Sequence, residues 1–335
     1  MSTPLVSVLM PMYNAERWLS ATVACVLGQT WRRIELIIVD DGSTDGSLGV
    51  ANRLADSRVK LIGQANAGAH VARQHALTVA QGELLQYLDA DDLLSPDKIE
   101  LQIRALRETE PDTVASCSWT RFYGDMPDGE RGVREPVWRD LEPVEWIVES
   151  QMGGGMMPTA AWLTPRPVAD RAGGWATYAS PNDDGEYFSR VLLASHGVKF
   201  VETAWVYYRS GVGGWSGART QAAVAGLYAS MDSISAALLE RENSPRTRAA
   251  AAAMFQRLIY DLYPDAPETV ARAEARVRDL GGSSLRPTGG PAFEALSRVL
   301  GWKAARQLQR RSAHLRRMVR RDAKGVGQQS RTPVV

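Results

Sequence analysis

The chain has 335 residues, of which 44% are hydrophobic and 23% charged, and its formal net charge is +1. These values are those of an ordinary globular protein. The length suits one large domain of about 200 residues with a smaller appendage, rather than several independent modules. Cys25 and Cys117 are far apart and show no metal-ligand spacing, so we expect reduced core residues and no disulfide.

We expect the chain to be cytoplasmic. The apolar stretch at residues 5–12 has no basic leader and is too short for a signal peptide. No stretch comes close to the roughly 20 apolar residues that a membrane-spanning helix needs.

The first third of the sequence alternates apolar runs with amphipathic segments. The apolar runs predict strands at 5–10, 35–39, 59–62 and 83–88, and the segments between them predict helices at 15–27, 43–55 and 68–80. Asn14 is the predicted cap of the first helix, and Ser43 or Thr44 that of the second. This alternation predicts an α/β fold with a parallel sheet covered on both faces, in which ligands bind beyond the carboxyl ends of the strands.

The rest of the chain is less regular. Residues 116–209 are rich in Gly, Pro and Trp and predict strands, loops and one helix after Gly185. From residue 220 the pattern is helical and rich in alanine, and a Gly/Ser/Pro stretch follows it. The predicted divisions are a large domain at 1–218, a helical region at 219–280, a linker at 281–291 and a basic amphipathic helix with its tail at 292–335.

An acidic cluster follows the fourth predicted strand directly. Asp89, Asp91 and Asp92 would repel one another unless a cation were bound. Mg²⁺ and Mn²⁺ prefer one or two carboxylates and complete their coordination with water and phosphate oxygens, so the cluster suits a metal bound together with a diphosphate. The alternative is a solvated turn and helix cap before Pro96.

Polar or aromatic residues also follow the first two strands. A carboxylate such as Asp40 or Asp41 can accept hydrogen bonds from a ribose hydroxyl or a base N–H, although an Asx-turn without a ligand has the same sequence. Tyr13 follows the first strand, where its ring could stack on a nucleobase or only pack against the protein.

Four blocks of the sequence carry a resemblance to a known family. They are VSVLMPMYN at 6–14, IIVDDGSTD at 37–45, QANAG at 64–68 and LDADD at 88–92. In this order and spacing they resemble the family 2 glycosyltransferases, which have the GT-A fold. The resemblance is close over residues 1–110 and loose over residues 111–210.

This resemblance implies a nucleoside-diphosphate sugar as donor, with a UDP-sugar expected. It places Pro11 and Tyr13 at the donor, with the Tyr13 ring stacked on the base. It places Asp41, with Asp40, against the base or the ribose.

The resemblance gives further roles to residues on either side of the third helix. Asn66 and Arg73 lie in a donor-facing segment, where Arg73 would neutralise phosphate. The family has Asn after this Arg, whereas this chain has Gln74, which puts the details of that contact in doubt. Asp89 and Asp91 match the family's DXD pair, which binds Mn²⁺ or Mg²⁺ and the donor diphosphate, and Asp92 is near enough to replace either.

The resemblance also implies a catalytic base in the segment PNDDGEYFSR at 181–190. Asp184 corresponds to the base that removes the acceptor hydroxyl proton, and Asp183 stands where the family often has Glu. A single in-line displacement of this kind inverts the anomeric configuration. Both residues also fit the N-terminus of a helix, where the helix dipole favours carboxylates.

The segment that follows resembles the strand and loop that close the family's donor site. The strand is WVYYR at 205–209, and the glycine-rich loop at 211–217 contains Trp215. Such a loop can be a lid that excludes water, or only a surface connection.

The C-terminal segment is strongly basic. From Lys303 to the end there are ten Lys or Arg and one acid, Asp322, a net charge of +9, so residues 1–302 carry −8. A helix at 293–322 would place Ala304, Leu308, Leu315 and Val319 near one face, among many arginines. Such a helix can lie on an anionic membrane surface or pack, solvated, against the protein. Nucleic acid is a poorer partner, because the rest of the chain is acidic.

The predicted function is inverting transfer of a sugar from a nucleotide sugar to a saccharide or lipid-linked acceptor, in cell-surface polysaccharide or glycolipid synthesis. The protein would then be cytoplasmic, with a peripheral position on the inner face of the membrane as an option. A nucleotidyltransferase is disfavoured, because no glycine-rich triphosphate loop follows the first strand. A sugar-nucleotide-binding protein without catalysis is disfavoured by the intact Asp184.

Overall fold

A computed structural model describes residues 3–54, 56–125, 127, 132–211, 220–310 and 312. These residues fall into two compact units, divided between Ala251 and Ala252. The division lies within a helix, whereas the sequence predicted a boundary at 218/219.

The first unit is built on a five-stranded, mostly parallel sheet. Its strands lie in the order β3-β2-β1-β4-β7. Their bounds are Val6–Met12 for β1, Ile34–Asp40 for β2, Val59–Gly63 for β3, Leu84–Tyr87 for β4 and Thr164–Pro165 for β7. Only β7 is antiparallel to its neighbour. All seven residues of β1 are buried, because this strand is central and helices cover both faces of a parallel sheet.

Helices connect the strands, as the alternating pattern predicted. They are α1 at Leu19–Leu27, α2 at Ser47–Arg53, α3 at Ala69–Val79 and α4 at Lys98–Leu106. The α/β fold class and all four predicted strands are confirmed.

The predicted starts of the first two helices are wrong. Asn14 does not cap α1, which begins five residues later; its side chain instead accepts a hydrogen bond from the Thr44 backbone N–H at 2.8 Å. Ser43 does not cap α2, because its hydroxyl accepts from the Asn14 N–H at 3.0 Å. Local capping rules fail here because these polar groups join the ends of β1 and β2 to each other.

A second, three-stranded sheet lies in the order β5-β8-β6. It consists of β5 at Leu93–Leu94, β6 at Val114–Phe122 and β8 at Val198–Arg209. β8 is parallel to β6 and antiparallel to β5, so the carboxyl end of β8 lies close to the acidic cluster that precedes β5.

The remaining helices of the first unit follow β6. They are α5 at Pro143–Glu149, α6 at Arg166–Ala172, α7 at Asp183–Ala194 and α8 at Gln221–Arg241, with a π-helical turn at Ser150–Gly154 and a 3-10 turn at Thr159–Ala161. α9, at Pro245–Leu262, contains the division between the units. The predicted helix near Gly185 is α7.

α8 belongs to the first unit because it packs closely on α7 and the segment before it. The Ser230 hydroxyl donates to that of Ser180 at 2.8 Å, and the Ser233 hydroxyl donates to the Glu186 carboxylate at 2.7 Å. At Gly226 a Cβ would lie 2.0 Å from the carbonyl oxygen of Ala179, so only glycine allows this approach.

α8 is also the one helix among the described residues that is long and apolar enough to cross a membrane, with a mean hydropathy of 1.4 over its most apolar window. This differs from the expectation that no stretch would qualify. A helix from a protein core passes the same test, so length and composition alone are weak evidence.

The second unit is helical. It contains the end of α9, then α10 at Pro267–Asp279 and α11 at Pro291–Leu300, and residues 302–310 are also helical. The prediction of a single helix at 293–322 is wrong, because α11 ends before Gly301, whose backbone takes φ 78°. The linker predicted at 281–291 has no helix or strand as far as residue 290.

Both cysteines are free thiols, as expected. Burial raises the pKa of Cys25 to about 12 and that of Cys117 to about 11, so neither thiol is reactive at neutral pH.

Gly226→Ala is expected to lower the free energy of unfolding by about 2 kcal/mol, because overpacking against a backbone oxygen outweighs the better helix propensity of alanine. Gly49→Ala in α2 is the matched control. The nearest atom to its new Cβ would be the Arg53 guanidinium nitrogen, 3.6 Å away, so we expect no loss. Urea unfolding of both variants measures the difference, and equal stabilities would show that α8 does not depend on this contact.

Candidate active site

The carboxyl ends of the parallel strands bring the predicted donor residues to one edge of the sheet. Met12 at the end of β1 is paired with Asp40 at the end of β2, and Asp89 follows β4 by two residues. Tyr13 is 52% exposed at this edge, so its ring is accessible to a ligand. Pro11 lies inside β1 and is buried.

Asp41 is buried and fixes the loop at 64–68. Its carboxylate accepts hydrogen bonds from the backbone N–H groups of Ala67, at 2.9 Å, and Gly68, at 2.8 Å, and from the Gln64 amide at 2.8 Å. The Asn66 side chain donates in turn to the Asp41 carbonyl oxygen at 2.9 Å. Asp41 and Asn66 therefore shape this edge of the site, and the Asp40 carboxylate accepts one hydrogen bond, from the Ser43 N–H at 3.2 Å.

Arg73 connects the two predicted acidic clusters. Its buried guanidinium donates to Asp89 at 2.7 Å and to Asp183 at 3.1 Å, and it lies 4.9 Å from the centre of the Trp175 ring. Burial alone would lower the pKa of Arg73, but the two carboxylates overcome this effect and raise it. The sequence predicted Arg73 at the donor, but not the pairing with Asp183, which lies 110 residues away along the chain.

The acidic cluster after β4 divides into two kinds of residue. Asp92 is buried, and its carboxylate accepts from the Arg209 backbone N–H at 2.8 Å. The Arg209 guanidinium donates to the Asp91 carbonyl oxygen at 2.7 Å. These bonds tie the cluster to the end of β8 and occupy Asp92, while the carboxylates of Asp89 and Asp91 stay partly exposed.

The carboxylates of Asp89 and Asp91 fit the cation that the resemblance implies. Burial, and then the charge of Asp89, raise the pKa of Asp91 to about 6, against the lowering effects of Arg209 and Arg73. No group of three His, Cys, Asp or Glu side chains among the described residues could hold a metal alone. A pair of carboxylates suits Mg²⁺ or Mn²⁺ that shares its coordination with phosphate oxygens.

Asp183 and Asp184 form the first turn of α7. Asp184 accepts from the Gly185 N–H at 2.8 Å and from the Thr159 hydroxyl at 3.2 Å. Burial, and then the charge of Asp183, raise the pKa of Asp184 to about 6. A carboxylate with this pKa is ionised at neutral pH but is a stronger base than a solvated one, which suits proton removal.

Trp175 belongs to the site but was not predicted, and Tyr208, which lies in the strand predicted to close the donor site, is close to the carboxylates. Burial, followed by the charges of Asp92 and Asp89, raises the pKa of Tyr208 to about 12, so its hydroxyl stays protonated beside the carboxylates. Trp175 stacks on Tyr187 of α7 at 4.3 Å between ring centres. No local pattern marks Trp175, because its contacts join distant parts of the chain. Residues 212–219, which include Trp215 of the predicted lid, lie outside the described part of the chain.

This arrangement defines the class of the first unit. It is an α/β fold with a ligand edge formed by the carboxyl ends of parallel strands, and two pairs of carboxylates meet there through one arginine. Residues 7–156 match the model of glycosyl transferase family 2, so this part of the chain is a family 2 glycosyltransferase domain.

The comparisons with individual proteins agree with this family. The chain is 43% identical, over 100 residues, to UDP-Glc:alpha-D-GlcNAc-diphosphoundecaprenol beta-1,3-glucosyltransferase WfgD of Escherichia coli, covering 30% of this chain and 40% of the relative. The chain spans between about a third and two fifths of the length of the first curated relatives that it matches.

Solved structures establish the GT-A fold over most of the chain. S. aureus TarS 1-349 in complex with UDP-GlcNAc superposes with a TM-score of 0.68 at 16% identity, over 92% of both chains. A mannosyltransferase from Pyrobaculum calidifontis in complex with GDP-Man and Mn²⁺ gives a TM-score of 0.52 at 17% identity, over 93% of this chain and 80% of the other.

Arg73→Gln is expected to lower the free energy of unfolding by about 3 kcal/mol, because it leaves Asp89 and Asp183 without their buried cation. Arg104→Gln is the matched control, since Arg104 pairs with Glu100 on the surface of α4, and a surface ion pair contributes little to stability. Urea unfolding measures both losses. Equal losses would contradict the central position that we give to Arg73.

Proposed function

We propose that the chain is an inverting glycosyltransferase that moves a sugar from a nucleoside-diphosphate sugar to a saccharide or lipid-linked acceptor. The observation that carries this proposal is the bridge from Asp89 through Arg73 to Asp183, beside Asp184. It supports a donor diphosphate and a catalytic base within one site.

The donor would lie along the strand ends. Tyr13 is exposed for stacking on the base, and Asp40 has a carboxylate oxygen available for ribose or base hydrogen bonds. Asp89 and Asp91 would hold Mn²⁺ or Mg²⁺, which supplies positive charge for the leaving diphosphate. Arg73 is close enough to Asp89 to add a second positive charge at the same place.

Asp184 would act on the acceptor. Its carboxylate takes the proton from the acceptor hydroxyl while that oxygen forms a bond to the anomeric carbon. The bond between the anomeric carbon and the diphosphate oxygen breaks on the opposite side, and the electron pair leaves with the nucleoside diphosphate. The Thr159 hydroxyl and the Gly185 N–H hold the carboxylate in position.

A UDP-sugar is the proposed donor, because TarS was solved with UDP-GlcNAc and WfgD is named for UDP-Glc. WfgD is also named for an acceptor carried on diphosphoundecaprenol, which supports a lipid-linked acceptor here. Such an acceptor would place the enzyme at the cytoplasmic face of a membrane, in synthesis of a surface polysaccharide or glycolipid.

Binding and hydrolysis of UDP-, GDP- and dTDP-sugars, each with Mn²⁺, Mg²⁺ or EDTA, test the donor and the cation. We expect one nucleotide to bind and to be released slowly only when metal is present, and Asp91→Ala to lose both activities. Asp97→Ala, which removes an exposed carboxylate five residues after Asp92, is the matched control and should behave as wild type.

Three other results would contradict the proposed glycosyl transfer. If no nucleotide sugar binds under any of these conditions, the proposal fails. Release of pyrophosphate from a nucleoside triphosphate and a sugar phosphate would indicate a nucleotidyltransferase. Binding without turnover across a set of saccharide and lipid-linked acceptors would indicate a protein that only binds sugar nucleotides.

Asp184→Asn is expected to lower the turnover number by about a hundredfold to ten-thousandfold while donor binding persists, because the amide cannot accept the acceptor proton. Its melting temperature should not fall, since the change removes a buried negative charge that the neighbouring Asp183 repels. A substantial fall in melting temperature, with turnover lost in proportion, would mean that Asp184 is structural.

The same base predicts a pH dependence. Because the pKa of Asp184 is raised to about 6, the carboxyl group is protonated and inactive below this pH, and kcat/KM should rise as the pH increases through about 6. Asp183→Asn should move this rise to lower pH, because it removes the like charge that raises the pKa. An unchanged midpoint in Asp183→Asn would assign the rise to another group.

A further inference from the structure

α11 exposes most of its apolar side chains. Its residues Leu296, Val299 and Leu300 are 38%, 81% and 52% exposed. At three and four residues apart they lie on one side of the helix, and we call these three side chains the α11 face. An exposed, contiguous apolar surface is a frequent sign of a binding site for another protein or a membrane.

The second unit holds α11 in place through other residues. Phe293 is 3% exposed, and the guanidinium of Arg306 lies 4.5 Å from its ring centre. Just beyond the helix, the Trp302 ring lies edge-on to Tyr260 and Tyr263, with ring centres 4.8 and 5.2 Å away. These contacts anchor both ends of α11 without covering the α11 face.

Basic residues lie close to the α11 face along the chain, and Glu294 is the acidic residue of α11. Arg298 is exposed in the last turn of α11. Lys303 and Arg310 follow in the next helical stretch, paired with Glu274 at 2.6 Å and Asp265 at 3.1 Å, and each keeps about half of its side chain exposed. The sequence from Lys303 onward adds a net charge of +9. Apolar side chains bordered by cations are typical of helices that lie in the interface of an anionic membrane.

We propose that the α11 face inserts into the surface of an anionic lipid bilayer. A second copy of the chain fits less well, because dimerisation through this face would bring two basic segments together and because three side chains are far fewer than a stable interface requires. This differs from the sequence prediction, which placed the apolar contacts after Gly301. Membrane binding by the α11 face agrees with the proposed function, which puts the acceptor at a membrane. Its test measures only binding to lipid vesicles and needs neither donor nor acceptor.

The test is co-sedimentation of the full chain with vesicles of phosphatidylglycerol and phosphatidylcholine, and with vesicles of phosphatidylcholine alone. We expect binding only to the anionic vesicles, and weaker binding as salt is added. The double variant Val299→Gln/Leu300→Gln should bind roughly tenfold more weakly, since two apolar side chains no longer enter the bilayer. Glutamine is a good helix former and adds no charge, so α11 should persist in the circular dichroism spectrum.

Leu48→Gln is the matched control, because Leu48 is a 45% exposed apolar residue on α2 of the first unit. It should bind vesicles as wild type does. Equal binding by wild type and the double variant, or equal binding to neutral and anionic vesicles, would overturn the proposal. So would a wild-type dimer in light scattering that the double variant converts to a monomer. Donor hydrolysis should be the same in all three proteins, so a failure here is separable from a failure of the proposed enzyme activity.

Discussion

The site depends on one buried cation. The Arg73 guanidinium is almost entirely out of contact with solvent, and a buried charge is tolerated only when it is paired and hydrogen-bonded. Its partners, Asp89 and Asp183, follow β4 and begin α7, so the ion pairs fix the distance between the two acidic clusters. The flat guanidinium, with its several N–H donors, is suited to this bridge, and the Trp175 ring beside it excludes water.

The position of the proposed base therefore rests on contacts far from the donor edge. Tyr187 of α7 packs on Trp175, and its hydroxyl and that of Tyr87 are 3.1 Å apart, which ties α7 to the end of β4. α7 is also held by α8 through Glu186, and the segment before α7 through the close approach of Ala179 to Gly226. Residues 7–156, which match the family, thus contain the proposed donor residues, whereas the proposed base and its supports lie mostly later in the chain.

The sequence predicted what local patterns determine. The four strands were predicted because short apolar runs are typical of a buried parallel sheet. The polar residues that follow those strands were candidates for a ligand site, and their proposed donor roles came from the family resemblance. The caps predicted at Asn14 and Ser43 were wrong because both side chains are used between the ends of β1 and β2. The Ser43 hydroxyl accepts a hydrogen bond from the Asn14 N–H, and the Asn14 side chain accepts one from the Thr44 N–H. Thr159 could not be predicted, since its role arises only when the 3-10 turn is brought against Asp184.

The charges of the site link the carboxylates proposed for the donor with the proposed base. Five carboxyl groups, those of Asp89, Asp91, Asp92, Asp183 and Asp184, lie around the guanidinium groups of Arg73 and Arg209. Burial, followed by the charge of a neighbouring carboxylate, raises the pKa of both Asp91 and Asp184 to about 6. Because these carboxyl groups are crowded together, the site favours binding of a cation at the partly exposed Asp89 and Asp91. The same neutralisation would reduce the repulsion on Asp184, because the charge of Asp89 contributes to the raised pKa of that residue. Binding of the proposed donor and ionisation of the proposed base would therefore be coupled through the electrostatic field of one cluster, in which Arg73 is the fixed positive charge.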